Sequence, residues 1–233
     1  MDFFASRETL EGEIHKGCLE DAQIAGCDIS GFEIDDGSWK KVSARDVDAH
    51  GAVFRKTEIR GSEFFRCGFM RAVFSACRFD DVVFDGVNLI KSGWKGCRLK
   101  NIRLKNSCLQ RAEFFGAAIF SSHFTDFEAI GCRIENSFVA NSVFSLTGSG
   151  MNGFSGGRII STVFYNCRFE GGVFDGESFE NCAFVRCGNL AHSAVFENGG
   201  SCAGGAFFTQ RRPLRFLELF RREEAAALLG SYV

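Results

Sequence analysis

The sequence predicts an all-β solenoid, a four-sided β-helix of about nine coils, and three observations carry that expectation. An apolar residue recurs every five positions over most of the chain. Small residues stand two positions before it, and Gly or Asn is favoured two positions after it. The apolar content is dominated by one residue type, with 28 Phe against 2 Tyr and 2 Trp, and there is a single Pro.

The five-residue walk starts at Ile14 and runs through Leu19, Ile24, Ile29 and Ile34 to Phe84. It continues through Leu89, Trp94 and Leu99 to Phe144, and after Ser149 it resumes at Phe154 and ends at Phe184. Of these 35 central positions, 34 are apolar, and no insertion breaks the phase. A step of five rotates about 140° on an α-helix and draws no helical stripe. In an extended segment the central residue and the one two positions earlier point the same way, with the residue between them opposite. Residues such as Ala22, Cys27, Ala52, Ser62, Cys77 and Cys97 therefore belong inside with the central residues. Gly26, Gly61, Gly86, Asn101 and Asn136 stand where a left-handed backbone turns the corner. Four such units close a square coil, and coils stack about 4.8 Å apart. Residues twenty apart are then neighbours on one wall: Phe54, Phe74, Trp94 and Phe114 are expected to form one ladder, and Phe144, Phe164 and Phe184 another. The unit centred on Ser149 is the weakest, and a bulge or loosened corner is expected there.

The ends are read differently. Residues 1–11 are expected to plug the first coil, because an open solenoid end would polymerise. The β-helix is assigned to 12–188, a glycine-rich connector to 189–212, and a C-terminal α-helix to 213–229. Pro213 suits a first helical turn, and Gly230 follows the last helix former. Leu214, Leu217 and Phe220 share a face, with Phe216 and Leu219 beside it. This helix is open to two readings, a lid on the last coil or a dimerisation element.

Segments such as Ala22-Gln23-Ile24-Ala25-Gly26, Cys27-Asp28-Ile29-Ser30-Gly31 and Cys167-Arg168-Phe169-Glu170-Gly171 resemble the pentapeptide-repeat family. The resemblance covers about residues 12–188 and implies a right-handed quadrilateral β-helix. The chain departs from the family pattern in often lacking Asp or Asn just before the central residue. Among its members the family includes proteins that dimerise through C-terminal helices, and delivered bacterial effectors. It also includes gyrase-protecting proteins that mimic duplex DNA.

Charge narrows these options. The formal net charge is −2, which makes no strong field for nucleic acid or an anionic membrane. Residues 12–187 carry 22 acidic and 21 basic side chains, a poor imitation of DNA. There is no secretory n-region and no long apolar run, so a cytoplasmic protein is expected, with no membrane partner. Nine of the eleven Cys fall on the small inward phase and read as reduced packing thiols. With no Cys-x-x-Cys and four scattered His, neither a metal site nor a cofactor is expected. No arrangement of His, Cys, Ser or paired carboxylates suggests catalysis.

The outward positions hold the functional candidates. A basic belt runs from Lys91 to Arg111, and Lys95, Arg98 and Lys100, which share or flank one edge, are its candidate anion contact. Phe115, Ala118, Phe120, Phe138, Ala140 and Ile160 are expected to form a contiguous apolar patch, with Phe115 at the near corner. Such a patch marks an interface, with a partner, with a second copy, or with the C-terminal segment of this chain. The acid clusters Glu33/Asp35/Asp36 and Asp80/Asp81/Asp85 read as solvated turns, and Glu177 as an odd inward acid. The leading functional expectation is a non-catalytic scaffold binding a protein through its walls, and gyrase protection is the alternative.

Overall fold

The computed structural model describes residues 2–14, 17–148, 150–176, 178–180 and 182–189, together with the strands Ser201–Ala203 and Ala206–Phe208. The expected C-terminal helix, Ser149 and Glu177 lie outside the described residues.

The chain winds into a parallel β-solenoid with four walls. The first wall stacks Leu19, Trp39, Ile59, Phe79, Leu99, Ile119, Val139, Phe164 and Phe184 in register, giving nine levels. The second wall runs from Ile24 to Phe169. The fourth runs from Ile34 to Phe179. The third is held mainly by single bridges, beginning with Asp28 to Asp48 and Asp48 to Gly68. There the carboxylate of Asp48 accepts the backbone N–H of His50 at 3.0 Å, tightening a turn where the other walls run straight.

The interior is filled by aromatic stacks. Phe74 lies 5.0 Å from Phe54 and 4.2 Å from Trp94, and Trp94 lies 5.6 Å from Phe114, all with near-parallel rings. Between walls the contacts turn edge-on, as for Phe64 and Phe69. Offset stacks along the axis and edge-to-face contacts across it both suit the ring quadrupole.

Small inward residues do more than save space. The Ser62 hydroxyl donates to the Arg60 carbonyl at 3.0 Å and accepts the Val42 N–H at 3.1 Å, so it ties its own corner to the coil below. Ser107 and Ser122 repeat the arrangement. The thiols of Cys77 and Cys97 donate to the carbonyls of Phe54 and Phe74 at 3.2 and 3.3 Å. Corners adopt the left-handed backbone almost throughout, whatever residue stands there: Asp81, Lys91 and Ala76 have φ of 60°, 57° and 54°. Closure of the coil imposes the conformation, and Gly or Asn only lowers its cost.

The start of the chain corrects one expectation. Ile14, the first step of the five-residue walk, is the last residue of the helix Arg7–Ile14, so Leu19 is the first strand centre. Leu10 and Ile14 of this helix are buried against the first coil. The strand Asp2–Phe4 pairs with the second wall, and Arg7 stacks on Phe32 at 4.4 Å. Together they occupy the edge that would otherwise accept another strand.

A second correction concerns the spacing. Up to Phe144 every vertical step is twenty residues, but Phe144 pairs with Phe169, Ala129 with Phe154, Ile134 with Ile159 and Val139 with Phe164. One coil therefore holds twenty-five residues: one whole unit, around Thr147–Met151, leaves the walls between Phe144 on the second and Phe154 on the third. Of the expected ladder Phe144, Phe164, Phe184 only the step from Phe164 to Phe184 forms, because Phe144 stacks on Phe124 and Phe169 instead. An insertion of one full unit leaves a period of five untouched, which is why the phase did not betray it. The extruded unit is moored by Asp126, whose carboxylate accepts the Thr147 N–H at 2.7 Å and its hydroxyl at 2.6 Å. Gly153 and Gly171 accommodate it: a Cβ at Gly153 would collide with the Val173 carbonyl, and one at Gly171 with the Leu146 carbonyl.

At the far end, the stretch expected to be a connector contributes two strands. Ala206–Phe208 pairs antiparallel with Ala183–Val185, and Ser201–Ala203 pairs with it in turn, extending the first wall. Gly204-Gly205 separates the two strands, a two-residue hairpin signal that a five-residue reading passes over.

Candidate interaction surface

Strand alternation sends the residues on either side of each central residue outward, so each wall presents two outer columns. On the first wall these columns change character partway along the rod. Over the early coils they carry Glu20, Lys40, Glu58, Arg60, Arg78, Asp80, Arg98 and Lys100. From the next coil onward one column reads Ala118, Phe138, Val163, Ala183 and the other Phe120, Ala140, Tyr165, Val185, all in register.

The structure thus brings Ala118, Phe120, Phe138 and Ala140 together, and the Phe120 and Phe138 rings lie 5.8 Å apart. It does not bring Ile160 to them. The twenty-five-residue coil moves Ile160 onto the fourth wall, between Glu135 and Glu180, and Tyr165 takes its expected place beside Ala140. Phe115 also lies on the fourth wall, between Lys95 and Glu135. Sequence reasoning missed Val163, Tyr165, Ala183 and Val185, and a twenty-five-residue step from Phe138 would have found the first of them.

Burial separates the two aromatic candidates. Phe120 is 2 % exposed although it points outward, whereas Phe115, in the equivalent position of the neighbouring wall, is 47 % exposed. Ala140, Val163 and Ala183 are likewise buried. The Arg98 guanidinium lies 5.5 Å from the Phe120 ring centre, where the basic column meets the apolar one. Arg98 and Lys100 flank Leu99 on this wall, while Lys95 stands on the fourth wall across the corner. Of the rest of the belt, Lys105 is paired with Asp85 at 3.0 Å.

The acid cluster Glu33/Asp35/Asp36 is countered one coil further on. Arg55 bridges Glu33 and Asp35, each at 3.0 Å, and these two carboxylates hold its guanidinium above its ordinary pKa. Lys56 faces Asp36, Arg66 faces Asp46 and Lys41 faces Asp21, each pair twenty residues apart. Exposed pairs of this kind are individually weak, and their use lies in neutralising the walls.

The buried thiols of Cys67 and Cys182 are set for packing rather than reactivity. Burial pushes Cys67 up to about 11 and Cys182 up to about 12. Among the described residues no three His, Cys, Asp or Glu side chains gather into a metal site, and no helix is long and apolar enough to cross a membrane.

Residues 38–114 match the family described as pentapeptide repeat region. Among solved structures, the chain is similar to HetL, a pentapeptide repeat protein involved in heterocyst differentiation regulation from the cyanobacterium Nostoc sp., at 8 % identity. The alignment covers 70 % of this chain and 84 % of HetL, with a TM-score of 0.45. It is also similar to QnrB1, a plasmid-mediated fluoroquinolone resistance protein, at 15 % identity over 73 % of this chain and 83 % of that one, with a TM-score of 0.45. A thylakoid-lumen pentapeptide repeat protein from Arabidopsis thaliana shares 18 % identity over 45 % of this chain and 67 % of its own, with a TM-score of 0.34. No curated protein matches the chain. Residues 38–114 are thus a pentapeptide repeat region, and the in-register five-residue repeat that contains them continues on both sides.

Proposed function

We propose that this protein is a non-catalytic interaction scaffold that binds a protein partner through the outer face of its first wall. One observation carries the reading: four successive coils of that wall present only Ala, Val, Phe and Tyr outward, immediately beyond a column of alternating charges. Monomeric soluble proteins rarely leave so long an apolar face without an occupant. The rigid stack beneath holds the face flat, so a partner meets a preorganised surface and little ordering cost. Arg98 and Lys100 at its lower edge favour an occupant whose end is acidic.

Gyrase protection, which the family resemblance brings forward, needs a different surface. The acids that would imitate phosphates are matched by cations from the neighbouring coil, as at Arg55 and Arg66. The two readings separate in one experiment. Full-length protein and its Phe138→Asp variant are titrated into a gyrase supercoiling assay and, in parallel, immobilised to capture partners from the source cell lysate. The scaffold reading expects unchanged supercoiling and a partner set lost with Phe138→Asp. Inhibited supercoiling that the variant retains would replace it with gyrase protection.

A further inference from the structure

At three of the four corners of the coil, a cation stands above an acid of the preceding level. Lys41 lies 3.5 Å from Asp21, Lys56 3.9 Å from Asp36, and Arg66 2.7 Å from Asp46. The corner between the third and fourth walls is built differently. It carries Arg71, Lys91 and Arg111 on consecutive coils, with glycine at the two levels below and the three above. The backbone fixes this column: the N–H groups of Arg71, Lys91 and Arg111 donate to the carbonyls of Ile90, Gln110 and Ile130 at 2.9, 2.8 and 2.8 Å. The three residues therefore follow one another at the coil spacing of about 4.8 Å.

All three are exposed, and among the described residues no carboxylate comes within ion-pair reach of them. The nearest acid along the chain, Glu113, pairs with Arg133 at 3.8 Å. Nothing inside the fold rewards this column. Like charges stacked on neighbouring strands repel. The corner also holds them at φ of 58°, 57° and 55°, where the glycine used elsewhere in the same column is cheaper.

The adjoining wall adds a second component. Beside the corner the fourth wall carries Val73, Gly93 and Glu113, and beyond them Ser75, Lys95 and Phe115. A Cβ at Gly93 would meet nothing within 4 Å, so the middle of this strip is open. Lys95 lies directly below Phe115 and likewise has no carboxylate partner among the described residues. Phe115 is 47 % exposed and stands four residues from Arg111, at most about 13 Å along an extended chain.

We infer that this strip binds single-stranded nucleic acid, with phosphates on Arg71, Lys91, Arg111 and Lys95 and a base stacked on Phe115. The ring decides among polyanions. An acidic peptide or a sulfated polysaccharide satisfies the cations but brings no regular series of flat rings to Phe115. A duplex keeps its bases stacked within. Cations and an aromatic face read no base edge, so binding is without sequence preference. The whole-chain charge of −2 conceals the site because it averages three paired corners with an unpaired one. The strip lies on a different wall from the apolar face, so it goes beyond the scaffold reading and fails or stands separately.

Fluorescence anisotropy tests it, with the full chain titrated into a labelled thymidine oligonucleotide of about 12 nucleotides at several salt concentrations. The expected result is saturable binding at low salt, with log affinity falling against log salt at a slope between about −2 and −3, about 0.7 for each phosphate held. Arg71→Asn/Lys91→Asn/Arg111→Asn should weaken binding at least about tenfold and flatten the slope to about −0.7. Asn suits the left-handed corner and already fills it at Asn101 and Asn136. If that variant does not fold, Arg71→Lys/Arg111→Lys must keep the slope while Lys91→Asn alone reduces it. Phe115→Ser should weaken binding about tenfold with the slope unchanged. Lys41→Asn/Lys56→Asn/Arg66→Asn removes the same charge from the paired corners and should leave binding nearly intact. No binding at low salt would overturn the inference, as would equal losses in the two triple variants. Indifference to Phe115→Ser, or a duplex or heparin bound as tightly as the single strand, would reduce the strip to a general polyanion surface and overturn it as well.

Discussion

Two stretches of the first wall share one interior and differ outside. Below Leu99 the wall is lined outside by Glu58, Arg60, Arg78 and Asp80, and Arg60 pairs with Glu58 in its own strand and with Asp80 on the next coil. Above Leu99 the same columns carry Phe120, Phe138, Ala140 and Val163. The inner residues do not register the change: Phe79 and Phe164 are both buried, and both sit in edge-on contact with their neighbours. Stacking alone makes the rod, then, and what the rod does is written on its outer columns. A repeat protein can alter those columns without altering its fold because each coil contacts only its neighbours.

The comparison breaks first if the interiors are not equivalent. Phe74→Ala in the lower half and Phe164→Ala in the upper half should each cost about 3–5 kcal/mol in denaturant unfolding. A loss confined to one half would mean the two stretches do not share a core. Next in size come the glycines. Gly171→Ala forces a side chain onto the Leu146 carbonyl at a φ of 78°, and should cost more than Gly61→Ala, whose Cβ would meet only the Lys41 Cγ at an ordinary contact distance of 3.8 Å. The latter should cost about 1 kcal/mol, because strain is its only penalty. Thermal unfolding of the two variants ranks them, and equal losses would remove the special fit of the extruded unit.

Deleting residues 147–151 sharpens the comparison further. It restores a twenty-residue coil and removes the bonds to Asp126, so about 1–2 kcal/mol should be lost with cooperativity retained. Loss of cooperative unfolding would show that the unit is part of the core. The smallest effect is chemical. At neutral pH the exposed Cys18 should react with iodoacetamide within minutes, while Cys67 and Cys182 should wait for unfolding. Because folding raises the Cys67 thiol above its ordinary value near 9, its contribution to stability is complete below that pH. It is lost as the pH climbs toward about 11. Base titration followed by circular dichroism reads this, and stability that rose over that range would contradict it.

Much of this was legible from the residues. The wall-forming core follows from a period of five because only a coil with corners places every fifth residue inside. Phe120 and Phe138 could be set side by side because they are eighteen residues apart, one coil step less two. Ile160 could not be placed, because an extruded unit of five preserves the phase while moving everything after it by one wall. The signal present was Ser149 between two glycines, which marked a weak unit and not its removal from the wall. The helix Arg7–Ile14 was hidden because Ile14 falls on the repeat phase by coincidence of spacing. The charge ladders of Arg55 and Arg66 needed the twenty-residue step applied to polar residues, which an apolar pattern never examines.

The central claim is that outward residues of the upper first wall are withdrawn from solvent while Phe115 on the neighbouring wall is not. Hydroxyl-radical footprinting of the full chain tests it residue by residue, with Phe115 as the exposed reference. The account predicts that Phe120 and Phe138 oxidise several-fold more slowly than Phe115. Equal rates at the three rings would mean that the apolar face is bare, and would contradict it.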